Sequence, residues 1–172
     1  PLFREALEIF RAARPAMHES IVIVLWILAD IQETQGRFDQ AVSFRREVVE
    51  VGRATLPKDS PELARGLANY AKALLDVKAW DTAEPIVRES LSIREKAEPD
   101  DWRTFNTRSM LGRVLLEQKK LADAEPLLLS GYRGMKEREA SIPPTAKARI
   151  PEALERLVQL AERGAEAVPV AG

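Results

Sequence analysis

The chain has 172 residues, 45% of them hydrophobic and 31% charged, a mixture typical of amphipathic helices and unlike that of a disordered chain. Its 26 basic and 27 acidic side chains give a net charge of −1, which argues against binding to nucleic acid or to an anionic membrane surface. The absence of cysteine excludes disulfides, thiolate metal sites and cysteine nucleophiles, and it suits a reducing compartment, so we expect the cytoplasm.

The first predicted element is a helix over residues 2–14, whose apolar side chains recur at helical spacing. We interpret residues 1–16 as a partial repeat, the second helix of a hairpin whose first helix is missing. The chain opens with Pro1 inside this amphipathic pattern and shows no signal-peptide pattern. We therefore interpret it as a fragment cut from a longer polypeptide.

Three repeated units follow, at residues 20–59, 60–100 and 101–142. An alanine recurs in each at spacings of 42 and then 41 residues, at Ala41, Ala83 and Ala124. Twelve positions before each alanine stands another small residue, at Ala29, Ala71 and Gly112. Small side chains at such fixed spacing indicate the places where two helices cross closely.

Each unit is therefore predicted to be a hairpin of a helix A and a helix B. The A helices are expected near residues 20–35, 60–77 and 102–118, and the B helices near 38–55, 80–97 and 121–140. After Ile142-Pro143-Pro144, the apolar spacing predicts a capping A helix within residues 145–164. Residues 165–172 show no periodicity and are predicted to be a loose tail.

The stretch from Ala83 to Lys96 resembles the tetratricopeptide repeat in its long form of about 42 residues, as in kinesin light chains and bacterial signalling proteins. The resemblance covers residues 20–142. It implies an all-α fold, a right-handed superhelical solenoid of antiparallel helix hairpins with about eight helices. The run from Pro99 to Leu128 also resembles C-terminal repeats of large bacterial serine/threonine kinases, although no kinase catalytic motif is present.

Catalytic and metal-binding patterns are missing from the sequence. The only histidine, His18, has no histidine or cysteine partner and is expected in a surface loop or linker. The eight glycines form no phosphate-binding loop, and acidic residues stand beside basic ones, as Glu84 does with Arg88. We therefore expect no catalytic site, no metal and no cofactor.

The family commonly binds peptides on the concave face of the solenoid, which the A helices line. Mapping the repeat positions onto that face gives a candidate peptide-binding groove formed by Trp26, Asp30, Arg65, Asn69, Lys72, Asn106, Ser109 and Arg113. Its asparagines could bond a peptide backbone and its cations could attract carboxylates. Asn69 alone fits the family's carboxylate-clamp pattern, because Trp26, Asp30 and Met110 stand where that pattern needs basic or amide groups.

Two functions therefore remain open. The first is a protein–protein interaction module that binds a peptide or partner protein in this groove, within a larger bacterial signalling protein. The second is a structural role, in which the terminal partial repeats self-associate into a homo-oligomer or dock on an attached kinase domain and position it. Binding to nucleic acid is disfavoured by the charge balance, and no membrane contact is expected of this fragment.

Overall fold

The computed structural model describes Glu5 and residues 18–166, and within this part the chain contains seven α-helices, two 3₁₀ turns and no strand. The helices are α1 (His18–Thr34), α2 (Phe38–Thr55), α3 (Pro61–Asp76), α4 (Trp80–Ala97), α5 (Trp102–Glu117), α6 (Leu121–Glu137) and α7 (Arg149–Glu166). The 3₁₀ turns are Glu139–Ser141 and Pro144–Ala146. The predicted fold class, an all-α solenoid of helix hairpins, is confirmed.

The helix pairs α1/α2, α3/α4 and α5/α6 begin and end within a few residues of the predicted bounds. Two details of the prediction were wrong. His18 is the first residue of α1 and not part of a linker. Ala165 and Glu166, expected in a loose tail, continue α7 because no proline interrupts that helix before residue 169. The two 3₁₀ turns precede α7, which begins at Arg149, within the predicted range. The helix predicted over residues 2–14 lies outside the described residues.

Identical turns join helix A to helix B in each hairpin. Their central residues have positive φ angles, 70° at Gly36, 58° at Lys78 and 63° at Lys119. The next residue donates its backbone N–H to the carbonyl oxygen five residues earlier, at 2.9, 2.9 and 2.8 Å in the three turns. This bond closes the end of helix A in the manner of a Schellman motif, which favours glycine at the left-handed position.

We expect replacement of Lys78 by glycine to raise the free energy of unfolding by about 0.5–1 kcal/mol. A side chain at φ 58° is strained, and glycine removes that strain at some cost in chain entropy. Thermal melting would show a rise of a few degrees. The matched control is Lys147→Gly, since Lys147 is exposed and has φ −60°, where glycine brings no relief and should lower the melting temperature.

Helix α3 shows how the sequence begins an A helix. Ser60 precedes the helix with an extended backbone, and its hydroxyl accepts the backbone N–H of Leu63 at 3.1 Å. Pro61 takes the first helical position, where a missing N–H costs nothing. Asp101 caps α5 in the same way by accepting from the N–H of Arg103 at 2.7 Å.

The core is continuous from one hairpin to the next. A large cluster joins buried apolar side chains of α2 to α6, while smaller clusters lie at the N-terminal end around Leu25 and at the C-terminal end around Met135. The predicted small residues are buried where helices cross, and a β-carbon on Gly112 would lie 2.6 Å from Cγ of Leu128. Close approach at these positions holds helix A against helix B in each hairpin.

The last helix, α7, packs against α6 and α5 and is held to the end of α5 by Arg163. Arg163 donates to the carbonyl oxygen of Leu116 at 2.8 Å and to Glu117 at 3.1 Å. Helices α3 and α5 each lie between two B helices, whereas α7 packs mainly against one described B helix, α6. Its outer side exposes Leu154 and Val158, by 45% and 51%.

None of the helices in the described part of the chain has the length and apolar character that crossing a membrane would require.

Candidate binding groove

Three A helices, α3, α5 and α7, stand side by side and form one open cavity of about 200 Å³. Its polar wall carries two amides, four cations and two carboxylates, contributed by Asn69, Lys72, Asp76, Asn106, Arg113, Arg149, Glu152 and Arg156. We call this cavity the central groove. Since the residues come from successive A helices, the groove follows from the stacking of the hairpins and not from a single motif.

The α3 side of the central groove holds one amide and one neutralised cation. Asn69 is half-buried, lines the cavity and donates through Nδ2 to the backbone oxygen of Arg65 at 2.9 Å. Lys72 pairs with Asp76 at 2.8 Å and lies 3.6 Å from Glu33 of α1. The charge of Lys72 is therefore already compensated before any ligand binds.

The α5 side supplies Asn106 and Arg113. Nδ2 of Asn106 lies 3.7 Å from Sδ of Met110, and its buried Oδ1 has no hydrogen-bond partner among the described residues. The guanidinium of Arg113 lies over the ring of Trp80, 5.6 Å from its centroid. Arg113 makes no ion pair or hydrogen bond within the described chain, so its charge faces the cavity uncompensated.

The α7 side contributes two arginines that share one carboxylate. Nη1 of Arg149 lies 2.9 and 3.1 Å from the two carboxylate oxygens of Glu152, and Nη2 of Arg156 lies 3.3 Å from the same group. Arg156 is only 7% exposed. The pKa of Arg156 is lowered to about 10, chiefly by burial and to a lesser extent by the positive charges of Arg113 and Arg149, while nearby Glu152 acts in the opposite sense.

The prediction that Ser109 lines the groove was wrong. Ser109 is fully buried, and its hydroxyl accepts from Nη1 of Arg156 at 2.8 Å. The cause is that Ser109 lies where α5 crosses α6, so close to Gly131 that a β-carbon there would lie 2.9 Å from that of Ser109, while Arg156 of α7 covers its hydroxyl. Ser109 instead anchors Arg156 and so holds its guanidinium at the wall of the central groove.

The other predicted residues, apart from Asp30, separate into two groups. Asn69, Lys72, Asn106 and Arg113 meet at the central groove. Trp26 and Arg65 lie at a second, mainly apolar cavity between α1, α2 and α3.

At that second cavity, Trp26 lies between two guanidinium groups. Arg45 of α2 is 4.7 Å from the centroid of its ring, and Arg65 of α3 is 5.3 Å from it. Asp30, which is exposed, accepts a hydrogen bond from Arg45, which also bonds Glu33 at 3.1 Å. These contacts tie α1 to α2 and α3, so Trp26 and Asp30 have packing partners of their own.

Sequence reasoning missed Arg149, Glu152 and Arg156 as groove residues. A signal for Arg156 exists, since this charged residue lies within the apolar stripe of α7 between Ala153 and Leu160. A cation on the buried face of a helix must find a partner, so its position indicated a polar contact with the neighbouring helix. The pairing with Ser109 supplies that contact.

The chemistry that these groups offer is recognition by hydrogen bonds and charge. In the part of the chain that the structure describes, no set of three or more His, Asp or Glu side chains is placed to hold a metal ion. The amides and the guanidinium groups can bond carbonyl oxygens, carboxylates or phosphates of a partner.

The sequence comparisons agree with the architecture. Residues 20–96 match the tetratricopeptide repeat family. Tetratricopeptide repeat protein 19, mitochondrial, from Homo sapiens is 24% identical over 126 residues, which cover 73% of this chain and 32% of that protein. This chain thus corresponds to about a third of the relative's length.

Solved structures of low sequence identity share the fold. BtubC (BKLC) from P. vanneervenii superimposes with a TM-score of 0.70 at 16% identity, over 95% of this chain and 67% of that one. Nearly identical TPR-like repeats of a candidate kinesin light chain from Podosopora anserina superimpose with a TM-score of 0.61 at 18% identity, over 85% of this chain and 76% of that one. The expected likeness to kinesin-light-chain repeats is confirmed at the level of the fold.

Proposed function

We propose that this chain, in which residues 20–96 are tetratricopeptide repeats, is a non-catalytic interaction module that binds an extended segment of a partner protein in the central groove. Such repeats generally mediate protein–protein interaction or scaffolding. The observation that carries the proposal is the set of polar side chains from three successive A helices that line this groove, among them Asn69, Asn106 and Arg113.

A buried amide oxygen without a partner has lost its hydrogen bonds to water without forming one in the protein, which lowers the stability of the fold by about 1–3 kcal/mol. A rotation of the Asn106 side chain would bring this oxygen to the groove, where a peptide N–H can satisfy it. Asn69 stands on the facing helix with its own amide, so two amides can bond one extended backbone from both sides. This pairing of amides explains recognition of a main chain without requiring a particular sequence.

The proposal is tested by filling the groove. Peptides selected from a display library against the wild-type chain should lose at least tenfold in affinity for Asn69→Trp, because the indole would occupy the space of the peptide. Fluorescence anisotropy with labelled peptides would measure the dissociation constants. Ser92→Trp is the matched control, since Ser92 is exposed on α4 and outside both cavities.

The control should bind as the wild type does, and both variants should keep the wild-type melting temperature. If selected peptides bind Asn69→Trp as tightly as the wild type, the central groove is not the binding site. If no peptide is enriched at all, the proposal of an extended ligand is wrong.

A second function is favoured by the exposed pair Leu154 and Val158. These side chains lie one helical turn apart on the outer side of α7, where a further helix or a second copy could cover them. Self-association or docking on an attached domain would use this face. Sedimentation equilibrium over a hundredfold range of concentration should then show a dimer that Leu154→Asp abolishes, whereas a monomer at all concentrations would contradict self-association.

We also propose a location and a parent protein for this module. We place the chain in the cytoplasm, as a regulatory or scaffold region of a larger bacterial signalling protein, and the resemblance to kinase-associated repeats supports a serine/threonine kinase as that protein. The units proposed are residues 20–59, 60–100 and 101–142, with a partial repeat before them and α7 as the cap. The proposed binding function involves no cofactor and no nucleic acid.

A further inference from the structure

We propose that Arg113, Arg149 and Arg156 form a binding site for a phosphoryl group carried by a side chain of the bound peptide, so that the module prefers a phosphorylated partner. The inference rests on the proposed peptide-binding function and adds the chemistry of the ligand. It concerns the α5–α7 end of the central groove, where three guanidinium groups line one cavity.

The site is built and not merely a patch of surface charge. Arg156 is more than nine-tenths buried, and its Nη1 donates to the hydroxyl of Ser109 at 2.8 Å, which holds the guanidinium in place. Glu152 then holds Arg149 and Arg156 next to each other. The groups that would contact an anion are therefore held in place before it arrives, which limits the entropy lost on binding.

The net positive charge at the site favours a ligand that carries two negative charges. Three arginines face the cavity, and Glu152 is the carboxylate that pairs with them, so two positive charges remain. Lys72 does not change the sum, because Asp76 already compensates it. A phosphoryl monoester carries about −1.5 to −2 charges at pH 7, whereas an aspartate or glutamate side chain carries one.

Free hydrogen-bond donors point to the same ligand. Arg113 makes no hydrogen bond or ion pair within the described residues, so all five of its N–H groups are available. Arg149 uses only Nη1 toward Glu152, which leaves Nε and Nη2. Guanidinium forks match the spacing of phosphate oxygens, and a tetrahedral group can accept from two forks at once.

The lowered pKa of Arg156 supports the proposal, because burial and two neighbouring cations work against its charge more strongly than Glu152 favours it. An anion in the cavity would relieve this repulsion. Arg156 and Arg149 would then be stabilised together with Arg113, which makes binding of the anion favourable to all three.

The test uses three degenerate peptide pools with the same flanking composition and a central phosphoserine, glutamate or serine, measured by fluorescence anisotropy at fixed ionic strength. The phosphoserine pool should bind the wild type at least tenfold more tightly than the glutamate pool. Its affinity should fall between pH 7 and pH 5, as the phosphoryl group takes up a proton near pH 6. Inorganic phosphate should compete only at much higher concentration.

Arg113→Gln should lower the affinity for the phosphoserine pool at least tenfold. The matched control is Arg103→Gln, because Arg103 also lies over an indole ring, that of Trp102 at 5.0 Å, but outside the groove. Arg113→Lys keeps the charge and loses the fork, so it should recover only part of the binding. Side-chain Nε–Hε signals of Arg113 and Arg149 in the wild type should shift on addition of the phosphoserine pool, a result that needs no variant.

Equal binding of the glutamate and phosphoserine pools would overturn the inference, as would wild-type affinity in Arg113→Gln. Inorganic phosphate binding as tightly as the phosphoserine pool would show a site for free anions and would also overturn it. If selected peptides bind and are blocked by Asn69→Trp while the pools show no phosphate preference, the phosphoryl site fails and the proposed function stands.

Discussion

Replacement of Leu128 by alanine is expected to lower the free energy of unfolding by about 2–5 kcal/mol. Leu128 is fully buried in α6 and packs directly on Gly112 of α5, so alanine leaves a cavity between the two helices. For a chain of this length each kcal/mol corresponds to about 2–4 °C in melting temperature. Urea unfolding followed by circular dichroism would measure the loss.

The same contact predicts a compensating pair. A β-carbon on Gly112 would lie 2.6 Å from Cγ of Leu128, so Gly112→Ala alone should destabilise the protein by about 1–3 kcal/mol through overcrowding. With Leu128→Ala present, that β-carbon instead enters the cavity. The double variant should therefore be more stable than the sum of the single effects predicts, by about 1 kcal/mol or more. Strict additivity would contradict the close contact between these residues.

Gly131→Ala is expected to cost about 3 kcal/mol, at the upper end for overpacking. A β-carbon here would meet backbone, 2.7 Å from the nitrogen of Ser109 and 2.9 Å from the carbonyl oxygen of Phe105. Unlike a side chain, a helix backbone cannot turn aside, so α5 and α6 must separate. Calorimetric melting of the variant would show the loss.

The matched control is Gly164→Ala, the same change in α7 at a position with no atom within 4 Å of the new β-carbon. Alanine is the better helix former, so this variant should gain about 0.5–1 kcal/mol. A loss in both variants, or in neither, would mean that helix propensity and not the crossing of α5 and α6 decides the effect of Gly131.

These two sites explain how much of the fold the sequence predicts. Gly112 and the alanines recur at a nearly constant period because each hairpin repeats one crossing of helices, and a crossing tolerates only small side chains. The turns repeat for the same reason, with Gly36, Lys78 and Lys119 at equivalent positions of positive φ. Local chemistry that recurs in each unit is visible in one sequence without any structure.

The candidate site was predicted only in part, because it depends on contacts that occur once. Asn69, Lys72, Asn106 and Arg113 occupy regular repeat positions and meet as expected. Ser109 occupies such a position too, but it is buried between α6 and α7.

The path of α7 is set by the two 3₁₀ turns after α6 and by Arg163 at the end of α5, neither of which repeats. The repeat period of the sequence alone therefore could not predict the position of α7, or the positions of Arg149 and Arg156 on it.

The stability of α5 and α6 bears on binding as well. α5 carries Asn106 and Arg113 on one face and the crossing at Gly112 on another, so the same helix serves the core and the groove. Substitutions at the crossing should weaken ligand binding only by lowering the folded fraction. Groove substitutions should weaken it with the melting temperature unchanged, which separates the two classes of variant experimentally.

The most direct test of the binding function is a two-dimensional amide NMR titration of the wild-type chain with a display-selected peptide. If the peptide binds in the central groove, the shifted signals will come from α3, α5 and the first turns of α7, and they will include the side-chain amides of Asn69 and Asn106. Shifts confined to the outer surfaces of α2, α4 and α6, or to the exposed side of α7 around Leu154 and Val158, would contradict it.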